Sequence, residues 1–289
     1  MIKHSELILN PDGTIFHLHL KPENISDQII LVGDPARVDT IAGHFSKIDF
    51  SIQNREFKTI TGWYNNKRLS VISTGIGTDN IDIVVNELDA LANIDLEARE
   101  IKEEKKSLNI VRIGTSGGLQ DDLPVNTFVV SKKSIGFDGL LNFYANRNAV
   151  SDLNFEEAFK AYTGWDKSLP SPYVVDASED LLSKFENKEF ATGVTISAPG
   201  FYGPQGRELR LPLAHPQLNE KIESFSHKGL RITNFEMESS AIYGLSKLLG
   251  HQALTVCLII ANRVTLTANE NYRDEMRKLI EKVLAKLTQ

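Results

Sequence analysis

The sequence predicts an α/β protein, a single domain over residues 1–289 with a central mixed β-sheet flanked by helices. Three observations lead there. Short apolar runs of strand length alternate with longer helical patterns. Glycine-rich or polar breaks follow four of the apolar runs, where open α/β sheets place ligands. A chain of 289 residues, 41% hydrophobic and 24% charged, has ample material for one large core.

Taken in order, Ile29–Val32 reads as a strand, broken by Gly33-Asp34-Pro35. Asn54–Phe57 and Thr61–Tyr64 look like a hairpin. Leu69–Ser73 is the next strand, followed by the break Thr74-Gly75-Ile76-Gly77 and a helix over Ile81–Leu91. Strands then fall at Ile110–Ile113, Thr127–Ser131 and Phe190–Ile196, a helix at Met237–Leu248, a strand at Ala253–Ala261, and a last helix from about Glu270. Between these, Glu97–Lys106 mixes charge signs at helical spacing and reads as a solvated helix. Residues 139–173, with Trp165 and the Pro170-Ser171-Pro172 break, read as a long excursion partly covering a pocket or an interface. There is no internal repeat and no low-complexity tract.

Composition excludes several function classes. A net charge of −6 gives no basic footprint for nucleic acid or an anionic membrane, so any positive charge that matters acts locally. The single cysteine, Cys257, lies in the apolar run Leu254–Ala261; it permits no internal disulfide and no cysteine-rich metal site, and reads as core. No metal is expected from this pattern. Met1–Glu6 lacks an apolar signal core, and no run approaches the roughly 20 apolar residues of a membrane span, so the expectation is a cytoplasmic protein.

Four stretches carry chemistry. Asn109–Gly118 is an apolar strand containing Arg112 that runs into Gly114-Thr115-Ser116-Gly117-Gly118. A buried guanidinium needs an anionic partner, and hydroxyls with exposed N–H groups suit an anion-binding turn at the strand end. Gly33-Asp34-Pro35-Ala36-Arg37 starts a helix with proline in its first turn, and Arg37 can add a second guanidinium for an oxyanion. Asn234–Ala241 places Glu236 and Glu238 around Met237 at a helix start. Carboxylates there fit a charged N-terminus, or accept two neighbouring hydroxyls of a sugar. Phe201–Arg207 joins aromatic area to Gln205, a donor and acceptor, and Arg207, a donor only, which suits a planar lactam edge such as a nucleobase.

These pieces resemble the hexameric, trimer-of-dimers nucleoside phosphorylases, and within them the uridine-cleaving branch. The matching segments are Phe16-His17-Leu18, Gly33–Arg37, Arg55-Glu56-Phe57, Ser73–Gly77, Arg112–Gly118, Phe201–Arg207, Glu236–Ser239 and Asn262-Arg263, in order across almost the whole chain. The resemblance implies a nucleoside phosphorylase-like fold and phosphorolysis of uridine to uracil and ribose 1-phosphate, with inorganic phosphate as co-substrate and no cofactor. It implies that Gly33, Arg37, Arg112 and Thr115 hold phosphate, joined by Arg55 from a neighbouring subunit. Glu238 and Met237 meet the ribose, with His17 again from the neighbour, which demands at least a homodimer and suggests a hexamer. Phe201, Gln205, Arg207, Glu236 and Arg263 form the base side, and Arg112, Thr115, Gln205 and Arg207 carry catalysis. Some relatives bind a monovalent cation between subunits, here near Glu56, Ile76 and Asn80, so potassium is an expectation. Purine-cleaving relatives place an aspartate after the last core strand, whereas this chain reads Asn262-Arg263. The segment Thr78-Asp79-Asn80 departs from the family, and Asp79 either caps the following helix or adds a carboxylate near the phosphate.

Overall fold

The apolar run at Ile29 becomes β1 (Gln28–Val32), with Ile29 to Val32 fully buried, in a computed structural model that describes residues 1–289. Asp34 caps α1 (Pro35–Ala42) by accepting the Ala36 N–H at 2.9 Å, and Pro35 takes the first turn, where its missing N–H costs nothing. β2 (Lys47–Asn54), β3 (Phe57–Tyr64) and β4 (Lys67–Ser73) form an antiparallel meander, so the expected hairpin is two hairpins. Asn65 and Asn66, both at positive φ, make the second turn. α2 (Thr78–Asn93) follows β4, with Gly77 at its cap position at φ 101; Asp79 stands inside its first turn and makes no capping hydrogen bond.

The charged stretch after α2 is not a helix. β5 (Ile94–Asp95) and β6 (Glu100–Ile101) pair as a small hairpin, and the Asp95 carboxylate accepts the N–H groups of Glu97 and Ala98 to turn the chain. Charges at helical spacing without an apolar stripe give a helix nothing to bury, and the aspartate turn wins.

β7 (Asn109–Gly118) runs five residues past the apolar run that ends at Ile113 and does not break at Gly114. β8 (Phe128–Gly136) leads into α3 (Arg147–Val150), α4 (Leu153–Thr163) and β9 (Tyr173–Asp176). No residue of the 139–173 excursion lines the main cavity described below, so of the two expected roles it does not cover that pocket. Phe155 and Phe159 instead build a second apolar cluster with Phe137, Ile196, Phe225 and Phe235. Aromatic residues of that size gain more by burial under a sheet than over an open cleft. The chain continues through α5 (Glu179–Ser183), β10 (Ala191–Ser197), α6 (Leu218–Ser224), β11 (Ser226–His227), β12 (Leu230–Glu236), α7 (Ser239–Leu249), β13 (Gln252–Asn262), β14 (Thr267–Ala268) and α8 (Arg273–Leu287). No helix is long and apolar enough to cross a membrane.

The sheet is mixed, in the order β11-β12-β10-β8-β13-β7-β1-β4-β3-β2, and β12 pairs again with β7. That last pairing, Asn234 with Gly118 and Phe235 with Gly117, closes β7, β13, β8, β10 and β12 into a ring. It also brings the carboxyl end of β12 to the glycines of β7.

Helix α7 packs on this ring through Tyr243, which is buried and donates its hydroxyl to Ser131 O at 2.7 Å while accepting the Thr255 N–H at 2.8 Å. Tyr243→Phe should therefore cost about 1–3 kcal/mol of stability, because two buried backbone groups lose their partner. Urea denaturation reads this as a lowered midpoint; an unchanged midpoint would show that the hydroxyl does not clamp the helix to the sheet.

Candidate active site

A cavity of about 740 Å³ opens at the strand ends. Gly33 and Arg37 reach it from the β1–α1 junction, Glu56 from the β2–β3 turn, and Ile76 and Asn80 from the start of α2. Arg112 and Thr115 come from β7, Phe201, Gln205 and Arg207 from the loop after β10, and Glu236, Met237 and Glu238 from the β12–α7 junction. Thirteen positions singled out in the sequence thus meet in one place.

Three others do not line it. Arg263 stands directly behind the loop and donates to the Gln205 carbonyl. His17 and Arg55 lie outside the cavity, and Asn54, the residue before Arg55, donates its Nδ2 to the His17 carbonyl at 2.8 Å. The His17 ring Nδ1 is 2.6 Å from Glu87 Oε1, and that carboxylate also accepts the backbone N–H of Leu18. Arg55 is exposed and held at φ 54, a conformation uncommon for a long side chain and worth a functional question.

Why Arg112 can be buried follows from the strand itself. Residues two apart share a face, and a Cβ on Gly114 would collide with the Arg112 Nη1 atom. The first glycine of the motif is therefore room for a guanidinium, not a turn. Gly117 and Gly118 serve the ring closure against β12 and the approach of Ile259 and Asn262 from β13. The expected anion-binding turn is consequently an extended strand, with Thr115 presented from its edge.

The Arg112 guanidinium is not an unpaired cation. Its Nη2 meets Glu238 and its Nη1 lies 3.4 Å from Glu236. Burial works to lower its pKa, and the two carboxylates overcome that and hold it above the ordinary arginine value. Glu236 is consumed in turn: it accepts the N–H groups of Glu238 and Ser239 at 2.9 and 3.0 Å and the hydroxyls of Ser197 and Ser239 at 2.6 Å each. It lines the cavity but serves as the cap of α7. Glu238 accepts the Gly77 N–H at 2.8 Å, and burial, helped by the Glu236 charge and opposed by Arg112, pushes its carboxyl up to about 7. Ser197 is a partner that sequence reasoning passed over, whereas Gly77 lies in the break after β4 that the sequence singled out, without its role toward Glu238.

Arg37 has no carboxylate partner. Its Nη1 donates to Ile113 O at 3.3 Å, and burial together with the Arg112 charge lowers its pKa. At the far end Arg207 stacks 3.7 Å over the Phe201 ring and donates to Gln205 Oε1 at 2.6 Å. Arg263 lies 5.3 Å over the Phe235 ring and is pushed down to about 10 by burial and by Arg207. The cavity thus has an arginine-lined end, an acidic middle and a donor-rich end with an aromatic wall. Such a site can hold an anion, a polyhydroxylated ring and a planar acceptor edge in line.

Glu238 also sets a pH signature. Its carboxyl holds a proton more readily in the folded chain than in the unfolded one, where it has its ordinary value of 4.5. The native state therefore binds more protons between those values, and its stability should fall as pH rises from about 4.5 to about 7. Glu238→Gln should flatten that slope; denaturation midpoints across the range test it, and an identical slope in both proteins would contradict the assignment.

The sequence model of the family described as the phosphorylase superfamily matches residues 27–289. Over 250 residues the chain is 32% identical to a uridine phosphorylase of Treponema pallidum, covering 86% of this chain and 82% of that protein. A DeoD-type purine nucleoside phosphorylase of Listeria welshimeri is 26% identical over 244 residues, 84% of this chain and 85% of that one. Among solved structures, a Trypanosoma brucei nucleoside phosphorylase described as showing uridine phosphorylase activity superposes with a TM-score of 0.88 at 30% identity. That match covers 97% of this chain and 99% of the other.

Proposed function

This chain belongs to the phosphorylase superfamily, and from that membership we propose that it is a uridine phosphorylase, transferring the ribosyl group of uridine from uracil to inorganic phosphate in cytoplasmic nucleoside salvage. The observation that carries this reading is that Arg37, Glu238 and Gln205, far apart in the chain, line one cavity.

Phosphate takes the end formed by Gly33, Arg37, Arg112 and Thr115. Arg37 and Arg112 repel each other across that end, so an anion between them is stabilised. Drawing Arg112 toward phosphate frees Glu238 to accept from the ribose hydroxyls, with Met237 against the sugar. A phosphate oxygen then bonds to C1′ as the C1′–N1 bond breaks and its electron pair leaves with the base. Gln205 and Arg207 donate to the base oxygens as that charge develops. Fixing the nucleophile under the sugar lowers such a barrier by roughly 7–11 kcal/mol in favourable cases. No cofactor enters these steps.

The placement of His17 and Arg55 supports a homo-oligomer, at least a dimer and by family resemblance a hexamer. Both lie outside the cavity of their own chain, as residues lent to a second copy would. The same edge supports a potassium site near Glu56, Ile76 and Asn80, where Glu56 and Asn80 both approach Gly75.

Two observations weigh against purine cleavage. The side chain of Asn262 is spent on the carbonyls of Gln120 and Leu123 and the N–H groups of Val264 and Thr265. None of the acids lining the cavity, Asp34, Glu56, Glu236 and Glu238, follows β13.

A phosphorolysis panel of uridine, thymidine, inosine and adenosine decides the matter. Uridine should be cleaved, and only when phosphate is present. Faster cleavage of inosine or adenosine selects the purine activity, and saturable binding without product selects a nucleoside-binding protein. Arg37→Ala should raise the KM for phosphate by about tenfold or more while the circular dichroism spectrum stays unchanged; an unaltered KM would remove Arg37 from the phosphate site.

A further inference from the structure

The 139–173 excursion takes no part in the main cavity, but it helps to build a second one. This cavity, of about 640 Å³, is lined by Phe137, by Trp165, Leu169 and Pro170 of the excursion, and by the loop after β10. The Trp165 ring lies 4.6 Å from that of Phe137 and its Nε1 donates to Pro170 O at 3.0 Å, so the aromatic side of the cavity is held in place. Residues 201–207 separate the two cavities. Phe201 and Gln205 line the main one, Tyr202 and Pro204 the second, and Arg207 lines both.

The second cavity is apolar and carries charge of one sign. No aspartate or glutamate lines it. The acids next to its lining residues in the chain are spent on backbone groups: Asp166 accepts the Ser168 N–H at 2.7 Å, and Glu208 accepts the Leu213 N–H at 3.2 Å. His215 lines the cavity within the field of Asp166, which leaves Arg210 and Arg207, the latter under the influence of no carboxylate, as its uncompensated cations. Leu209 and Leu211 line it too, yet are 77% and 76% exposed, apolar area that the chain itself leaves uncovered. A ligand that covers those leucines, packs against Trp165 and Tyr202 and answers a guanidinium is flat, aromatic and anionic.

We propose that this second cavity is an effector site for a flat aromatic monoanion, and that its occupancy is felt in the main cavity through Arg207. Arg207 stacks 3.7 Å over Phe201 and donates to Gln205 Oε1 at 2.6 Å, so a ligand that draws its guanidinium toward the second cavity takes it from both partners. Two ligands that compete for one guanidinium from opposite sides change each other's affinity. The binding site stands apart from the assigned reaction; only the coupling rests on the reading of Gln205 and Arg207 as the base end.

The probe is 8-anilinonaphthalene-1-sulfonate, an aromatic monoanion whose emission rises when it leaves water and whose absorption overlaps tryptophan emission. The protein should bind one probe per chain and lose tryptophan emission as it does, and the loss should survive in Trp63→Phe, where Trp165 is the only tryptophan. N-phenyl-1-naphthylamine, the same aromatic system without the sulfonate, should bind about tenfold more weakly, and Arg210→Glu should weaken the sulfonate by about threefold or more. No binding, the result expected if a second copy of the chain or the loop's own leucines fill the space, overturns the site. Complete displacement by phosphate with uracil overturns it as well, because the probe then sits in the main cavity. Equal affinity for the neutral probe, or for Arg210→Glu and wild type, overturns the preference for an anion. In the cleavage assay the probe should raise the KM for uridine by about threefold and leave that for phosphate unaltered; a uridine KM that stays put, or moves together with the phosphate KM, removes the coupling. Probe binding is read without turnover, so a chain that binds the probe and cleaves no uridine loses the assigned activity and keeps the site.

Discussion

One guanidinium shared by two carboxylates organises the centre of this protein. Arg112 is carried inside the sheet, where an isolated charge costs several kcal/mol, and it is tolerated because Glu236 and Glu238 arrive from another strand to meet it. Their arrival needs β12 to reach β7, which needs the ring to close at Gly117 and Gly118. Glu236 then caps α7, so the same cluster that balances a charge also sets where the helix starts. Sheet closure, helix placement and site electrostatics are one constraint seen from three sides.

The strands around β1, β4, β7 and β13 were legible because they are buried on both faces and read as continuous apolar runs. Three of the four stretches that follow them, at Gly33–Pro35, Gly75–Ile76 and Thr115–Gly117, line the cavity. What was not legible depended on partners distant in sequence. β12 went unrecognised, because its second half, Thr233-Asn234-Phe235-Glu236, buries polar groups that only its neighbours satisfy: Asn234 with Thr195, Glu236 with Ser197. The run Gly114–Gly118 looked like a turn since glycine has two uses, freedom of φ and absence of volume, and a sequence does not say which applies. Here volume decides, and the strand continues. At Glu97–Lys106, charge spacing suggested a helix, and one aspartate side chain bonding to its own backbone settled on a hairpin.

The site residues were legible as a set, and their states were not. Arg37, Arg112, Gln205, Arg207 and Glu238 do gather, with Arg263 behind them, yet in the sequence the four arginines are equivalent cations. The structure separates them into one that is neutralised, one beside it without a partner, and a pair at the opposite end. Glu236 and Glu238 likewise look interchangeable two residues apart, and burial with different partners divides them into a cap and a carboxyl whose proton is held to about 7. Such distinctions are set by contacts across 100 residues or more of chain, as between Arg112 and Glu238.

The closed ring of five strands has a mechanical side. Neither β7 nor β12 offers an unpaired edge at their junction, so the floor of the cavity cannot widen without breaking backbone ladders on both flanks. Compliance is left to the irregular stretch beyond Arg207, where Leu209 and Leu211 are each more than three-quarters exposed. Traffic of nucleoside and free base in and out of the protein is thereby steered to a single side, over a stiff basin with a soft lip.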